Sequence, residues 1–410
     1  MKYLFIILLC LLCKPSEAQQ KLSLDDAVKS ALKGNFSLIK SEREADAARG
    51  RFWSSISLPK PVVSLSHEFV PKGKGLSFFN EKSLEISQEI EFPTNIFLKG
   101  SRSNYEIELL DYEKERAAIE VTSKVKLLYR DAVIKGKKTS LAEDNYAIAI
   151  DFYDKAEARL KAGEGTKLES ITAKMQLNEA RVSLESARNE YRSAVNRLLE
   201  TMNRTDLKEE GLTLTDSLTF HPVYLKFDEL LNEAMANNKL IKKSESSLGI
   251  ASINKTLAWS SLLPNLSFSY FRQATPDNDD FYGVSFGISL PVWFLFEQRG
   301  NIQEAAANYS IAGEEVKTVR NSVELNLKSS FSSFRFEQEQ IKTYMNDLLP
   351  QAAEVFDLAR LSYNSGEINY IEFLQAKQNL ISIRNNYLNS LAGYYASLSE
   401  LEITVGKNLL

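Results

Sequence analysis

Cysteine and histidine are almost missing from this sequence, with two of each in 410 residues. Both cysteines, Cys10 and Cys13, stand in an N-terminal segment that we expect to be removed. The chain left behind would carry no thiol, which excludes disulfides and thiol chemistry. Neither His67 nor His221 has a partner motif around it. We therefore expect both histidines at the surface and predict no metal site.

Catalytic motifs are missing as well. The chain contains no H-E-x-x-H zinc motif, no G-x-S-x-G nucleophile turn and no glycine-rich phosphate loop. Its carboxylates lie at helical spacing among lysines and arginines, which is typical of solvated helix faces. The net charge of −4 argues against a nucleic-acid-binding face. We therefore expect neither an enzyme nor a bound cofactor.

Proline is scarce and unevenly placed. None occurs in residues 94–221 or in residues 292–349. Long proline-free stretches rich in Ala, Leu, Glu, Lys and Arg predict long helices. We expect helices over about 101–161 and 300–363, with a break at Pro350. At 1.5 Å per residue, about 60 helical residues make a rod of about 90 Å.

The longest apolar run lies at the N-terminus. Lys2 precedes the apolar run Tyr3–Cys13, and the small residues Ser16 and Ala18 follow it. This pattern predicts a secretory signal peptide over residues 1–18, and the run is too short to span a membrane. A lipid anchor on either cysteine would need a small residue before it, whereas leucine stands there in both cases.

The sequence does contain an internal repeat. Residues 163–180 read GEGTKLESITAKMQLNEA and residues 366–383 read GEINYIEFLQAKQNLISI, and an offset of 203 aligns them. Each copy predicts a turn that opens a long helix with an apolar residue at every seventh position, as in helices packed side by side. A match at a fixed long period indicates internal duplication. We predict a first repeat at 19–205, a linker at 206–226 and a second repeat at 227–410.

Four segments change to a period of two, near 62–70, 84–92, 266–270 and 282–290. Each has one apolar face and one small or polar face over about 9–10 residues, as a tilted membrane-spanning strand requires. The candidate lipid-facing side chains are Val63, Leu65, Ile86, Ile90, Phe268, Val284, Phe286 and Ile288. The competing interpretation is a half-buried sheet of a water-soluble protein. If the strands span a membrane, several protomers must share one barrel, because four strands cannot close one and lipid tolerates no open edge.

Specific motifs then resemble one family. An LxxAxxxALxxN pattern begins at Leu24, a Leu-Pro pair precedes the first strand of each half, and LEITVG closes the chain at 401–406. The first turn reads RLxxG-x5-E and the second YxxG-x5-E. Over nearly the whole chain, these features resemble the TolC family of outer-membrane efflux proteins. Residues 86–104 further resemble the metal-cation efflux branch.

The resemblance implies a fold class and a function. The fold would be mainly α, with two tandem repeats of long helical hairpins and four amphipathic strands, assembled as a homotrimeric α/β-barrel of the TolC type. The strands would lie in the outer membrane of a Gram-negative bacterium and the helices in the periplasm. Substrates would pass outward passively, while a periplasmic adaptor and an inner-membrane pump of the RND type supply energy and selectivity.

The resemblance also assigns roles to the two hairpin turns. In the family such turns dock the adaptor, and here they comprise Gly163, Glu164, Gly165, Thr166, Gly366, Glu367, Ile368 and Asn369. Glu372 matches a family position whose acidic side chain narrows the periplasmic gate. A second acidic position falls on Gln375, where this chain departs from the family. Glu169 is the equivalent of Glu372 in the first repeat.

Two other functions remain open at this point. A type I protein secretion outlet shares the same fold and differs only in its pump. A periplasmic coiled-coil adaptor also has a signal peptide and long helical hairpins. Adaptors, however, have one such hairpin and glycine- and valine-rich domains, whereas this sequence predicts two related hairpins with amphipathic strands.

Overall fold

The computed structural model describes residues 20–204, 206–208, 212–275, 278–291 and 296–409. The predicted signal peptide and both cysteines lie outside the described residues. Within those ranges, no helix is both long enough and apolar enough to cross a membrane.

The helices and strands follow a similar order in both halves of the chain. The helices are α1 (Leu24–Gly34), α2 (Phe36–Ser55), α3 (Pro93–Lys161), α4 (Lys167–Thr201), α5 (Phe227–Asn237), α6 (Lys239–Ser260), α7 (Glu297–Thr343), α8 (Leu349–Ser365) and α9 (Tyr370–Val405). The strands are β1 (Gln20–Leu22), β2 (Val62–Glu68), β3 (Glu81–Ile90), β4 (Leu212–Leu214), β5 (Asn265–Thr275) and β6 (Asn278–Ser289). Each half therefore runs through a helix pair, a strand hairpin, a long helix, a turn and a returning helix, as the sequence predicts.

Two compact units divide the chain, and each takes segments from both halves. The helical unit comprises residues up to 39, residues 116–238 and residues from 323 onwards. The strand unit comprises residues 40–115 and 239–322. Because these units follow spatial contacts rather than sequence order, the predicted repeat and linker boundaries stay predictions.

A buried tyrosine organises one end of the helical unit. The hydroxyl of Tyr129 lies 2.9 Å from the carbonyl oxygen of Leu22 and 2.8 Å from Oδ2 of Asp216. Leu22 belongs to β1, which pairs in parallel with β4, a contact that the sequence did not predict. Asp216 also accepts the backbone N–H of Leu24 at 2.6 Å, at the start of α1. Part of the predicted linker is therefore fixed against the first helix.

The duplication extends to individual hydrogen bonds. Asn35 ends α1 and Asn238 ends α5, and the two are 203 residues apart. The side-chain amide of Asn35 donates to the carbonyl oxygen of Thr201 at 2.8 Å, and that of Asn238 donates to Thr404 at 2.7 Å. Both acceptors lie at the same offset. Each repeat therefore joins the end of its first helix to the end of its last helix in the same way.

The strand unit contains one antiparallel sheet in the order β2-β3-β5-β6. Val63 faces Ile86 in the first pair, Ile86 faces Tyr270 in the second, and Phe268 faces Phe286 in the third. Successive side chains of a strand point to opposite faces, so this register decides which side chains share a face. The register also brings both hairpin connections to the same end of the sheet, and the long helices continue from the other end.

The connection between β5 and β6 is shorter than the sequence predicts. Residues 273–280 were expected to form a polar loop, yet β5 continues to Thr275 and β6 begins at Asn278. A bulge between Gln273 and Thr275 keeps both of these polar residues in the ladder, where they pair with Phe281 and Asn278. Residues 276 and 277, between the two strands, are not described.

The long helices differ from the prediction at two prolines. The helix α3 begins at Pro93 rather than near Ser101, and proline suits a first helical position because its missing N–H would have no partner there. The expected break at Pro350 is instead a π-helical segment, Tyr344–Leu348, between α7 and α8. Proline cannot donate to a preceding carbonyl, and one wider turn accommodates that loss without ending the helix.

Candidate functional site

Two helical hairpins turn on glycines with a left-handed backbone. Gly163 has φ of 77° and Gly366 has φ of 80°, a conformation that glycine adopts without strain. The hydrogen bonds repeat at the same offset: the N–H of Glu164 donates to Arg159 at 3.0 Å, and that of Glu367 donates to Ser362 at 2.8 Å. The two predicted turns therefore have matching backbone geometry, as the repeated sequence predicts.

Each turn is followed by a capped helix. The hydroxyl of Thr166 accepts the backbone N–H of Glu169 at 3.1 Å, and Oδ1 of Asn369 accepts that of Glu372 at 3.0 Å. A side-chain oxygen at the N-cap satisfies an otherwise unpaired helical donor. Both predicted gate carboxylates consequently occupy the third position of their helix, where a negative charge is favourable.

An aromatic cluster holds the two hairpins together near their turns. This tip cluster consists of Phe152, Ala156, Ala173, Tyr363, Tyr370 and Phe373. The rings of Phe152 and Phe373 stack with centroids 4.2 Å apart. Because its members come from α3, α4, α8 and α9, the cluster joins the first repeat to the second within one protomer.

Glu169 and Glu372 have different surroundings despite their equivalent positions. The side chain of Glu169 is 15% exposed, accepts the hydroxyl of Tyr363 at 2.8 Å and lies 3.6 Å from the guanidinium of Arg159. Burial, followed by the contact with Glu169, raises the pKa of Tyr363 to about 12. Glu372 is exposed, and its carboxylate accepts the side-chain amide of Asn369 at 3.1 Å. Only Glu372 is therefore free to face the solvent or another protomer.

The remaining predicted tip residues lie mostly at the surface. Gln375 is exposed one turn after Glu372 on α9. Gly165 and Ile368 are half-buried. The exposed members of the two turns are Gly163, Glu164, Thr166, Gly366, Glu367 and Asn369. Sequence reasoning missed the contact of Tyr363 with Glu169, although the aromatic residues on both sides of the second turn are a sign of local packing.

All eight predicted lipid-facing side chains lie on one face of the sheet. The register places Val63, Leu65, Ile86, Ile90, Phe268, Val284, Phe286 and Ile288 together on that face. Ile90 is half-buried and the others are exposed, from 41% for Phe268 to 80% for Phe286. In the protomer this face is a continuous apolar surface, whereas exposed apolar residues on a typical monomer are scattered singly.

The opposite face of the sheet is small and polar. It carries the alternating serines, glycines and glutamates of the four strands, such as Ser64, Glu85, Ser269 and Gly283. Position 283 requires glycine, because the ring of Phe271 occupies the space that a Cβ there would need. A face with this composition can line a water-filled pore.

Metal-ligand geometry is not found in the described residues, where no three His, Cys, Asp or Glu side chains could hold an ion together. The ring of His67 packs on Phe79 with centroids 5.3 Å apart, and neither of its nitrogens has a hydrogen-bond partner within the described ranges. Nε2 of His221 lies 2.9 Å from the hydroxyl of Thr219.

Lys377 is buried between the hairpins of the helical unit. Lys377 on α9 is 6% exposed, whereas its equivalent in the first repeat, Lys174, is exposed. Burial lowers the pKa of Lys377 to about 8. A cavity of about 130 Å³ adjoins Lys377, and its polar lining includes Asp144, Asn145, Asp357 and Arg384. This part of the hairpin packing is therefore polar and incompletely filled.

Known proteins resemble this chain over almost its full length. Residues 230–407 match the family described as outer membrane efflux protein. The cobalt-zinc-cadmium resistance protein CzcC of Cupriavidus metallidurans is 22% identical over 401 residues, which cover 96% of this chain and 92% of that protein.

Solved structures confirm the predicted fold class. A membrane protein from Pseudomonas aeruginosa superposes with a TM-score of 0.81 at 15% identity, covering 94% of this chain and 90% of that one. The outer membrane channel CmeC of Campylobacter jejuni gives a TM-score of 0.76 at 17% identity, covering 93% and 85%. The chain has the TolC-type fold, mainly α-helical with a four-stranded sheet.

Proposed function

From the premise that this chain belongs to the outer membrane efflux proteins, we propose that it is the outer-membrane channel of a tripartite efflux system. The sheet lies in the outer membrane, the helical hairpins lie in the periplasm, and substrates leave the cell passively. The observation that carries this proposal is the apolar face of the sheet. Phe286 is 80% exposed and Ile288 is 65% exposed, and lipid would remove this surface from water at a gain of about 25 cal/mol per Å².

The open sheet supports assembly into a homotrimer. Strands β2 and β6 each have one neighbour in the protomer, so each leaves an unpaired edge. An unpaired edge carries unsatisfied backbone groups, which cost several kcal/mol each in lipid. Pairing β6 of one protomer with β2 of the next satisfies both edges and closes a barrel. The number three comes from the family resemblance.

The hairpin turns are the proposed contact with the rest of the efflux system. Their exposed residues, including Glu164 and Glu367, form the surface that a periplasmic adaptor docks on, and an inner-membrane pump of the RND type delivers the substrate. The exposed Glu372 is proposed as the gate residue. Glu169, held by Tyr363 within its own protomer, is not available for that role.

Divalent metal cations are the substrate class that we favour. The similarity to CzcC, named for resistance to cobalt, zinc and cadmium, supports this choice. The polar face of the sheet supports it independently. Glu85 and Glu89 lie on that face, and none of its described strand residues is lysine or arginine. A pore lined by carboxylates attracts cations and disfavours anions.

Reconstitution of the purified full chain tests this function. Protein from the outer-membrane fraction of a Gram-negative host without its own efflux channels should require detergent and should form cation-preferring pores in planar bilayers. The double variant Glu85→Gln, Glu89→Gln should form pores with a weaker preference for cations. Recovery of the wild type from the soluble periplasmic fraction, without conductance, would instead support the adaptor interpretation.

A further inference from the structure

Lys377 is a buried cation to which the described chain offers no counter-ion. Its side chain on α9 is 6% exposed, and it makes no hydrogen bond or ion pair with any residue that the structure describes. At pH 7 its amine is still mostly protonated, because its pKa is about 8. Buried charges are normally paired, since burial without a partner costs several kcal/mol. The ammonium group therefore needs an anionic partner from elsewhere.

A buried acceptor without a donor lies at the same place. Asn145 on α3 and Lys377 both line the cavity of about 130 Å³. Oδ1 of Asn145 is buried, and no donor for it is found among the described residues, the amine of Lys377 included. Because buried polar atoms are normally hydrogen-bonded, this oxygen needs a donor from outside the described chain. The cavity thus brings together a cation that lacks an anion and an acceptor that lacks a donor.

The other charged side chains that line this cavity are exposed. Asp357 pairs with Arg360 at 3.1 Å, whereas Asp144 and Arg384 make no ion pair within the described ranges. With Lys377 and Arg360 included, three positive charges face two negative ones. The buried charge is positive, and water screens the exposed charges more strongly. This balance favours an anion of single charge.

A second cavity beside Lys377 is less suited to an anion. It has a volume of about 270 Å³, and both Lys377 and Asn145 line it as well. The other charged residue in its lining is Glu179, which accepts a hydrogen bond of 2.9 Å from Gln176. A carboxylate repels an anion, and the guanidinium of Arg384 does not reach this cavity. The smaller cavity is therefore the better site.

The volume of the smaller cavity limits what it can hold. A water molecule in the liquid occupies about 30 Å³, so there is space for about four non-hydrogen atoms. The ligand needs one negative charge for Lys377 and one hydrogen-bond donor for Asn145. Bicarbonate has both, because its two anionic oxygens accept hydrogen bonds and its hydroxyl donates one. Acetate has the same size and charge, but a methyl group replaces the hydroxyl.

We propose that the cavity between α3, α8 and α9 binds a small monoanion that carries a hydrogen-bond donor, with bicarbonate as its representative. Lys377 and Arg384 donate to the anionic oxygens, and the hydroxyl of the ligand donates to Oδ1 of Asn145. The bound anion would join the hairpin of the first repeat to that of the second. This inference goes beyond the proposed function, because it concerns the packing of the hairpins and not conduction.

Thermal unfolding of the detergent-purified full chain at pH 7 tests the site. The probes are sodium bicarbonate and sodium acetate at equal ionic strength, each titrated to give a Kd. At about ten times its Kd, bicarbonate should raise the melting temperature by about 3–6 °C, because a ligand of the folded state stabilises it by mass action. Acetate should bind about tenfold more weakly, since it leaves the oxygen of Asn145 unpaired.

Variants of the lining residues and matched controls assign the effect to this cavity. Lys377→Met should abolish the response to bicarbonate, whereas Lys174→Met, at the exposed equivalent position, should respond as the wild type does. Asn145→Leu should remove the preference for bicarbonate over acetate. If a variant of a buried residue does not fold, Arg384→Gln should bind bicarbonate about tenfold more weakly. Arg181→Gln, an exposed arginine outside the cavity, should bind it unchanged.

Each contrary result overturns the proposal in a defined way. An equal rise of the melting temperature in the wild type and in Lys377→Met would indicate a general salt effect. Equal affinities of the wild type for bicarbonate and acetate would remove the role of Asn145. A carbamate on Lys377, trapped by alkylation and seen by mass spectrometry, would show a covalent product instead of a bound ion. None of these measurements depends on conductance, so a failed site leaves the proposed function standing.

Discussion

The hydroxyl of Tyr363 donates a hydrogen bond of 2.8 Å to the carboxylate of Glu169, and it thereby joins the last turn of α8 to the first turn of α4. The contact connects the two repeats within one protomer. It also separates two residues that the duplication makes equivalent, because Glu372 has no such tyrosine contact among the described residues and is exposed. The repeat therefore supplies two matching carboxylates, of which one is used for packing and one remains available at the surface.

The first prediction concerns ion selectivity at the hairpin tips. Glu372→Gln should weaken the cation preference of the channel and reduce block by divalent cations, because like carboxylates around one axis attract cations. Glu169→Gln is the matched control and should change selectivity much less, since that side chain is held by Tyr363. Reversal potentials and block are measured in planar bilayers. Unchanged selectivity in Glu372→Gln, with trimers intact, would remove the gate assignment.

The second prediction concerns the stability of the tips. Tyr363→Phe should lower the stability of the helical unit by about 1–2 kcal/mol, because it deletes a hydrogen bond to a mostly buried carboxylate. Tyr224→Phe is the control, since that tyrosine is 87% exposed and its loss should change little. Thermal unfolding followed by circular dichroism compares the variants. A melting temperature equal to that of the wild type in Tyr363→Phe would mean that the contact adds no stability.

Much of this architecture could be predicted from local sequence patterns. The repeat at an offset of 203 predicts both turns, the alternation of apolar residues predicts the two faces of the sheet, and the proline-free stretches predict the long helices. These features depend on periodicity and on residues close in sequence. The shared face of Val63, Ile86 and Phe286, for example, follows from alternation alone once the strands pair in register.

The missed features depend on contacts between distant residues. The parallel pairing of β1 with β4 joins three-residue strands about 190 residues apart, too short to give a period. The contact between Tyr363 and Glu169 joins residues 194 apart. The polar stretch at 273–280 predicts a loop because its residues favour turns, yet Gln273, Thr275 and Asn278 pair in the ladder around a bulge.

The third prediction compares the equivalent asparagines at the ends of α1 and α5. Asn238→Ala should cost about 1–3 kcal/mol, because it leaves the carbonyl of Thr404 without its donor in a buried site. Asn35→Ala should cost less, since its bond to Thr201 is only partly buried. Denaturant unfolding of both variants measures the difference. An equal loss of stability in the two variants would mean that the difference in burial between the two hydrogen bonds does not affect stability.

The fourth prediction concerns the two sheet faces. Ile288→Lys should cost about 2–4 kcal/mol if the side chain lies near the middle of the membrane. Ser285→Lys lies on the opposite face of the same strand and should be tolerated, because it would face water. Folding yield into vesicles and unfolding in denaturant compare the two. Equal damage by both substitutions would argue that the strand is not in a membrane.

The fifth prediction compares the buried Lys377 with its exposed equivalent in the first repeat, Lys174. Burial lowers the pKa of Lys377 from 10.5 to about 8, so the folded state favours the neutral amine. The unfolded chain keeps its proton up to about pH 10. Between these values the unfolded state binds more protons, and the stability of the wild type should therefore rise as the pH rises from about 8 to about 10.

Lys377→Met should accordingly stabilise the protein, and by more at pH 7 than at pH 10. At pH 7 the folded wild type bears the full cost of burying a charge, about 3 kcal/mol for a shift of this size. At pH 10 most of that cost is absent, because the folded wild type already holds a neutral amine. Lys174→Met removes the exposed equivalent and should change stability by less than about 0.5 kcal/mol at both pH values. Denaturant unfolding in detergent at the two pH values checks this, and a gain from Lys377→Met that does not vary with pH would show that the ammonium group stays hydrated in the folded protein.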